Sequence, residues 1–501
     1  MDYSKLQNGS DVRGVAMEGV TGQAVNLSEA VMADIANAFI LYLRKRLGRE
    51  ALRVSIGRDS RLTGKALESA AANAMLAMGA DVTVFGLSST PAMFMSTVLD
   101  GFSFDGAIML TASHLPFNRN GAKFFTKDGG LEKADIAQIL QLAGEGRFPM
   151  AEEPGKRECF DFLPVYGAHL VALVRRTVAA DDYAEPLKGF HIVVDAGNGA
   201  GGFFVEHVLK PLGADTSGSQ FLEPDGSFPN HAPNPEDDTA MEAIAGCVLK
   251  HNADLGILFD TDVDRAGAVA PDGREINRNR LIALMAAITL MEHPGTTIVT
   301  DSITSAGLGS FIAEKGGRHH RFKRGYRNVI NEAIRLNGEG QDCQLAMETS
   351  GHGALKENYF LDDGAYLMVK LLIKMAQCRA EGRRLFSLID TLQEPLESIE
   401  LRMGLGGEDF AAYGAKVLTE LSAYALAQGW AIAPHNFEGL RVSFPKGEGD
   451  GWFLLRMSLH DPLMPLNIES DSEGGVAIIA KKLYESLRHF DRLDTGALSA
   501  L

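Results

Sequence analysis

Cysteine is scarce in this sequence: 501 residues hold four, Cys159, Cys247, Cys343 and Cys378, far apart and with no C-x-x-C pair. We read all four as reduced core thiols in a reducing compartment. Basic charge is also in deficit, with 48 Lys and Arg against 65 Asp and Glu and a net charge of −17. A nucleic-acid binder needs a basic face, so nucleic acid is excluded as the expected partner. An anionic substrate would require a positive field built locally. The opening "MDYSKLQNGSDVRG" has no apolar core of a secretion signal. The longest apolar run, "LIALMAAITLM", is too short to span a bilayer. The expectation is a cytoplasmic protein with no membrane partner, with an organelle left open had a targeting peptide been trimmed.

What is present is ordinary globular composition, 46% hydrophobic and 23% charged, in a chain long enough for three or four domains. Three segments share one order of parts. A β-rich strand runs into an Asp-bearing loop and then a helical pattern: "VSIGRDSRLTGKALESAAANAML", "IVVDAGNGAGGFFVEHVL" and "TIVTDSITSAGLGSFIAEKG". A second strand-like run follows each: "DVTVFGL", "GADTSGSQF" and "HHRFKRG". A third strand then ends in polar residues: "DGAIMLTASH", "ADLGILFDTDVDR" and "CQLAMETSGH". Alternating strand and helix predicts α/β domains with mixed or parallel sheets, whose ligands sit at the carboxyl ends of the strands. From about Leu388 the pattern changes to a helix near "EDFAAYGAKVLTELSAYALAQ" and short strands, "LRVSFPKG" and "GWFLLRMSLH", a smaller α+β domain. The linker is placed in "RLFSLIDTLQEPLESIELRMGLGGED". The expected boundaries are 1–160, 161–274, 275–387 and 388–501.

The strand ends carry the chemistry. In "FDTDVDR", Asp260, Asp262 and Asp264 repel one another unless a cation holds them, and an all-oxygen ligand set suits Mg²⁺. Arg265 beside them suits a phosphoryl group bridging to the metal. In "TASH", Ser113 and His114 follow a buried strand, and Lys123 stands ten residues on. A serine near Mg²⁺ points to phosphoryl more than acyl transfer, with Lys123 as a cation or a general acid/base. In "ETSGH", Glu348 and Ser350 are residue types that bind vicinal sugar hydroxyls, Gly351 permits close backbone approach, and His352 is able to shuttle a proton.

"TASHLP", "GAKF", "DTDVDR" and "ETSGH", in this order, resemble the active-site loops of the α-D-phosphohexomutase family, the phosphoglucomutases, phosphomannomutases and phosphoglucosamine mutases. The resemblance runs from "SDVRG" to "LRMSLHDP". It implies three similar α/β domains plus a C-terminal smaller α+β domain, arranged around a central cleft. It implies that Ser113 is the phosphorylated serine and that Ser113, Asp260, Asp262 and Asp264 hold Mg²⁺. Arg265, Arg13, His114, Lys123 and His352 become catalytic candidates, and Glu348 and Ser350 the sugar ligands. Lys323, Gly325 and Arg327, in "KRGYRNV", stand where the family chooses its sugar, and Arg456, Ser458 and His460 in its last phosphate loop. That loop departs from the family at Leu459 and His460, and Pro465 replaces a frequent arginine; Met347 replaces a glycine.

The function implied is an intramolecular phosphotransferase, interconverting hexose 1-phosphate and 6-phosphate through a phosphoserine enzyme and a hexose 1,6-bisphosphate. Its partner is a small hexose phosphate, and the protein a monomer or homodimer. Two rivals remain open at this point. One is a catalytically weak sugar-phosphate-binding or regulatory homologue, and the other an aspartyl-phosphate phosphatase read from "ILFDTDVD".

Overall fold

Strand Gly106–Leu110 is buried at every residue and lies midway along a mixed sheet. The computed structural model describes residues 2–180, 182–434, 436–458 and 461–501. It divides the chain into two compact units, Met1–Leu281 with Ser350–Ser387, and Ile282–Thr349 with Leu388–Leu501.

The first unit contains two sheets. One runs in the order Gln7–Asn8, Asp11–Val15, Arg119–Thr126, Gly106–Leu110, Arg53–Arg58, Asp81–Leu87 and Arg157–Cys159. Its last four strands are mutually parallel; Arg119–Thr126 runs antiparallel to Gly106–Leu110 on one side and to Asp11–Val15 on the other. Helix Glu29–Leu47 covers this sheet with Met32, Ile35, Phe39 and Leu43, all fully buried. Each such side chain contributes about 1.5–3 kcal/mol of burial. The helix starts at an Ser28 cap and stops at Gly48, whose left-handed φ of 67° a side chain would resist. The second sheet has the order Glu275–Ile276, Ala266–Val269, Leu255–Phe259 and Ile192–Asp195. Hairpin Gly353–Leu355 with Leu361–Asp362, and helix Gly364–Ala380, which packs on helix Leu163–Val178, complete the unit.

The second unit holds the third α/β repeat, with parallel strands Arg318–Arg321, Thr297–Thr300 and Cys343–Met347. It also holds a five-stranded antiparallel sheet in the order Glu397–Gly404, Leu463–Ser470, Gly451–Leu455, Leu440–Phe444 and Ala431–Ile432. Helices Phe410–Ala427 and Gly475–Leu487 pack on that sheet. Three α/β repeats and a smaller α+β domain are therefore present. In each repeat the first strand pairs in parallel with the third: Ile56 with Ile108, Val194 with Ile257, Ile298 with Leu345.

Several local expectations fail for physical reasons. After Ile192–Asp195 there is no regular α-helix, but a π-helical turn Val205–Leu209 and a 3₁₀ turn Lys210–Leu212. Pro211 removes an amide, and glycines precede the turn; a Cβ on Gly202 would come within 2.4 Å of Leu222 O. "GADTSGSQF" forms only isolated bridges, at Asp215 and Gln220. The expected linker contains strand Glu397–Gly404, an edge of the last sheet. Cys247, Cys343 and Cys378 are buried, but Cys159 is exposed on an edge strand and is not a core thiol. No helix among the described residues is long and apolar enough to cross a membrane.

Candidate active site

Strand Gly106–Leu110 delivers the serine loop. Ser113 takes a left-handed φ of 50°, and its amide donates to Thr111 Oγ1 at 2.9 Å. A non-glycine residue in that region is uncommon and marks a constrained turn. Arg61, 2% exposed, fixes the loop from behind. Its guanidinium donates to the carbonyls of Ser113 and Leu115, to Pro116 O at 2.8 Å and to Arg119 O at 3.0 Å. Asp59 holds Arg61 in turn, Oδ2 to Nε 3.4 Å. Burial raises the Asp59 carboxyl to about 6 against the pull of Arg61. The Ser113 hydroxyl so placed donates to Asp260 Oδ2 at 3.0 Å and accepts from Arg265 Nη2 at 3.0 Å.

The aspartates follow strand Leu255–Phe259. All three are fully buried, and one oxygen from each lies within 4.8 Å of the others. Asp262 Oδ2 accepts from Thr90 Oγ1 and from Lys123 Nζ at 3.0 Å, and Asp264 Oδ2 from Lys123 Nζ. The remaining oxygens, Asp262 Oδ1 and Asp264 Oδ1, are buried without a hydrogen-bond partner. Buried polar atoms are normally satisfied, so two orphaned carboxylate oxygens beside a third carboxylate fit a hard cation. The electrostatics agree. Burial, then the charges of Asp264 and Asp262, push Asp260 well above the usual carboxylate range. Burial would raise Asp264 too, but Lys123, His352 and Arg265 outweigh it and hold that carboxyl low. Glycines let other segments approach the loop: a Cβ on Gly364 would lie 2.7 Å from Arg265 C, and one on Gly351 2.9 Å from Ala266 O.

Arg265 is the hub. Its Nε and Nη2 reach Asp260 Oδ2 at 3.2 and 3.1 Å, Nη2 donates to His114 Nδ1 at 2.6 Å, and Nη1 to Asn234 Oδ1 at 3.0 Å. His114 thereby accepts on Nδ1; burial and the Arg265 charge lower it to about 2, so it stays neutral. His352 is set the other way. Its Nδ1 lies 2.5 Å from Asp362 Oδ2 and 3.9 Å from Asp264 Oδ1, and these carboxylates overcome burial to raise it to about 9. Two imidazoles with opposed protonation are the pattern of a divided acid/base pair. Arg13 donates to the Thr111 carbonyl and to Asp11 Oδ2 at 2.7 Å. Ser350 Oγ is buried without a hydrogen-bond partner. The first unit thus brings Ser113, His114, Lys123, Arg13, the three aspartates, Arg265 and His352 into one network.

The remaining expected residues lie in the second unit. Gly325 has φ 110° and starts helix Tyr326–Gly338, which carries Arg327; its amide donates to Glu348 Oε1 at 2.6 Å. Lys323 Nζ stands 5.9 Å from the Phe322 ring centroid. Arg456 and Ser458 follow strand Gly451–Leu455, and Arg456 Nη1 lies 4.0 Å from Glu438 Oε1. Leu459 and His460 fall outside the described residues.

Comparison with known proteins gives the family of the chain. The chain matches the models of phosphoglucomutase/phosphomannomutase alpha/beta/alpha domains I, II and III at residues 4–149, 166–273 and 277–395. It is 30% identical over 458 residues to a phosphomannomutase/phosphoglucomutase of Pseudomonas aeruginosa, covering 88% of this chain and 90% of that one. The chain belongs to the phosphoglucomutase/phosphomannomutase family. A solved structure of a family protein from Burkholderia thailandensis matches with a TM-score of 0.77 and 28% identity, over 97% of this chain and 98% of that one. A more distant fold match, with a TM-score of 0.55 and 12% identity over 92% of this chain and 99% of that one, is the N-acetylphosphoglucosamine mutase of Aspergillus fumigatus, solved with GlcNAc-6P and magnesium.

Within this family member, sequence reasoning missed Arg61, Thr90, Asn234 and Asp362, which touch the network from segments far apart in sequence. One signal was available. "GRDSR" is also a strand running into a polar loop, and it ends the first strand of its repeat as "TASH" ends the third. Asp362 had no such signal; only the fold shows its carboxylate on His352.

Proposed function

We propose that this chain is a Mg²⁺-dependent phosphohexomutase interconverting hexose 1-phosphate and 6-phosphate. The observation that carries the reading is the Ser113 hydroxyl, 3.0 Å from both Asp260 Oδ2 and Arg265 Nη2, beside two orphaned buried carboxylate oxygens. That geometry suits a phosphoserine: one hydroxyl held by a guanidinium, at the end of a strand, next to a cation site.

Asp260, Asp262, Asp264 and the Ser113 side chain would hold the metal. Bound there, Mg²⁺ supplies positive charge to the transferring phosphoryl group. In the first half-reaction a hexose hydroxyl oxygen bonds to phosphorus as the phosphorus–Ser113 Oγ bond breaks. The hydroxyl proton passes to a group of the chain; Lys123 and His352 are the candidates for moving protons here, each a base only in its deprotonated form and an acid in its charged form, and Arg265 steadies the departing serine oxygen. The product is a hexose 1,6-bisphosphate. After it turns around, Ser113 Oγ takes the other phosphoryl, and the proton returns to the sugar oxygen left behind. Lys323, Arg327, Arg456 and Ser458 are assigned to the phosphate that is not transferred, and Glu348 and Ser350 to the sugar hydroxyls.

The rival phosphatase reading places the phosphoryl on an aspartate. Incubation with glucose 1,6-bisphosphate followed by intact-mass analysis separates the two. A stable added phosphate on Ser113, lost in Ser113→Ala together with glucose 1-phosphate turnover, is the expected result. Phosphate on no serine, or normal turnover by Ser113→Ala, overturns the proposal. The sugar-binding homologue is excluded by turnover itself, measured over glucose, mannose, glucosamine and N-acetylglucosamine 1-phosphates.

A further inference from the structure

Asp195 ends strand Ile192–Asp195, the first strand of the second repeat, and is fully buried. A buried carboxylate needs donors around it. Gly197 N donates to its Oδ1 at 2.8 Å and Gln220 Nε2 to its Oδ2 at 2.8 Å. The third neighbour is His231, 7% exposed, whose Nε2 lies 3.1 and 3.0 Å from the two carboxylate oxygens. On its other side, His231 Nδ1 lies 2.9 Å from the Ala232 carbonyl oxygen.

Both ring nitrogens therefore face acceptors. A carbonyl has no proton to give, and each Asp195 oxygen already accepts from a donor. Two such acceptors are satisfied together only by an imidazolium, which carries a proton on each nitrogen. A neutral ring has one N–H and turns a lone pair on the other oxygen. The surrounding charges agree. Burial alone would lower the ring's pKa; the hydrogen bond and charge of Asp195, then the Ala232 carbonyl and the Asp237 charge, outweigh it and raise it. Asp237 caps helix Asp238–His251, and Cys247 of that helix, its thiol pushed up by burial and by Asp195, stays neutral. The remaining neighbour is the Phe221 ring, edge-on at 5.4 Å.

The Ala232 carbonyl links this pair to the serine. It accepts from Asn234 N at 2.9 Å as well as from His231, closing a tight turn at 232–234. A Cβ on Gly197 would lie 2.7 Å from Pro233 Cβ, so the turn packs directly on the loop that follows Asp195. Asn234 Oδ1 then accepts from Arg265 Nη1 at 3.0 Å, and Arg265 Nη2 donates to Ser113 Oγ at 3.0 Å.

We propose that His231 is a positioning residue: as an imidazolium bridging Asp195 and the Ala232 carbonyl, it seats the turn that presents Asn234 to Arg265, and so orders the guanidinium that holds the Ser113 oxygen. The consequence for turnover rests on the phosphohexomutase reading; the charge of His231 and the seating of the turn do not. The stabilisation from this bridge is complete below about 6.5, the ordinary value of the ring, and is lost as pH rises through the higher folded value.

The full chain labelled with ¹⁵N-histidine reports the ring directly, with His231 recognised as the signal missing from His231→Gln. Both of its nitrogens should be protonated at pH 6.0, and Asp195→Asn should weaken its proton affinity about tenfold or more. Amide exchange over residues 230–240, corrected for intrinsic rate, should quicken several-fold in His231→Gln, and in the parent as pH passes the His231 midpoint. With glucose 1-phosphate at pH 6.0, His231→Gln and Asn234→Ala should each lower kcat by up to about tenfold and leave KM nearly unchanged. The double variant should be no slower than the slower single one, because one residue acts through the other. A neutral His231 at pH 6.0, exchange indifferent to both pH and substitution, or kcat losses that multiply in the double variant overturns the proposal. A parent without turnover would tell against the mutase reading alone, and the ring and exchange measurements would still decide the role of His231.

Discussion

His352 Nδ1 lies 2.5 Å from Asp362 Oδ2, and this contact decides the charge of a histidine that burial alone would leave neutral. The folded value near 9 stands above the ordinary 6.5. The stabilisation from this pair is therefore complete below about 6.5 and lost as pH rises through about 9. Asp362→Asn removes the charge while keeping the shape, and His352 should titrate near or below 6.5. If the proposed reaction uses the imidazolium, activity at pH 8 should fall roughly thirtyfold while activity at pH 5.5 changes little. A pH–rate profile with an unmoved alkaline limb would contradict this.

Arg61 positions the serine loop through carbonyl groups alone. Arg61→Ala leaves the fully buried Asp59 without its partner, so a stability loss of about 3–5 kcal/mol is expected. Asp59→Asn with Arg61→Ala together removes that unpaired charge. If the loop geometry matters for Ser113, the double variant should recover much of the melting temperature but not the kcat. Recovery of both would reduce Arg61 to a packing residue.

The fold was legible in the sequence because its three repeats use the same signals: apolar strands such as "AIML" and "ILF", and polar loops where they end. The strand pairings Ile56–Ile108, Val194–Ile257 and Ile298–Leu345 follow from that pattern. Strand Glu397–Gly404 was not legible. It is an edge strand with half-buried and exposed residues alternating along most of its length, and the Pro and Gly content of the run around it reads as a linker. Within the site, Ser113, the aspartates and Arg265 were visible because each follows a strand, and Lys123, inside strand Arg119–Thr126, because it stands ten residues beyond Ser113. Asp362, at the end of strand Leu361–Asp362, reaches His352, and Asn234 reaches Arg265, across segments whose meeting no local pattern encodes. Val263 adds a backbone detail beyond any pattern: a β-branched residue at φ 67°, between two of the aspartates.

Removing a metal ligand should separate binding from folding. With Asp262 Oδ1 and Asp264 Oδ1 orphaned, Mg²⁺ should stabilise the protein by RT ln(1 + [Mg²⁺]/Kd), about 2.7 kcal/mol at 100 times Kd. Asp262→Ala should lose this metal-dependent rise in melting temperature and the Mg²⁺-dependent activity, and Lys123 should still pair with Asp264 and keep the loop folded. Full activity of the parent in excess EDTA, or an undiminished thermal response in Asp262→Ala, would exclude the cluster as the metal site.

Arg456 offers the sharpest test in the second unit, because its surroundings predict two changes of opposite sign. It is 6% exposed, its Nε is buried without a hydrogen-bond partner, and Nη1 lies 4.0 Å from Glu438 Oε1. Burial lowers its pKa while the Glu438 charge opposes that shift, and a guanidinium remains protonated throughout the working range. A charged hydrogen bond to a phosphate oxygen contributes about 1.5–3 kcal/mol, so Arg456→Ala should raise the KM for a hexose 1-phosphate by about one to two decades. If that phosphate is held equally in ground and transition states, kcat should move far less than KM. Glu438 attracts the same guanidinium, so Glu438→Gln, which keeps the side chain's size and an acceptor for Ser302, should lower KM instead. A clamp requires both signs. If Arg456→Ala lowers the melting temperature but leaves KM alone, the arginine serves Glu438 and the fold, and the assignment of the loop at Arg456 and Ser458 to phosphate falls with it.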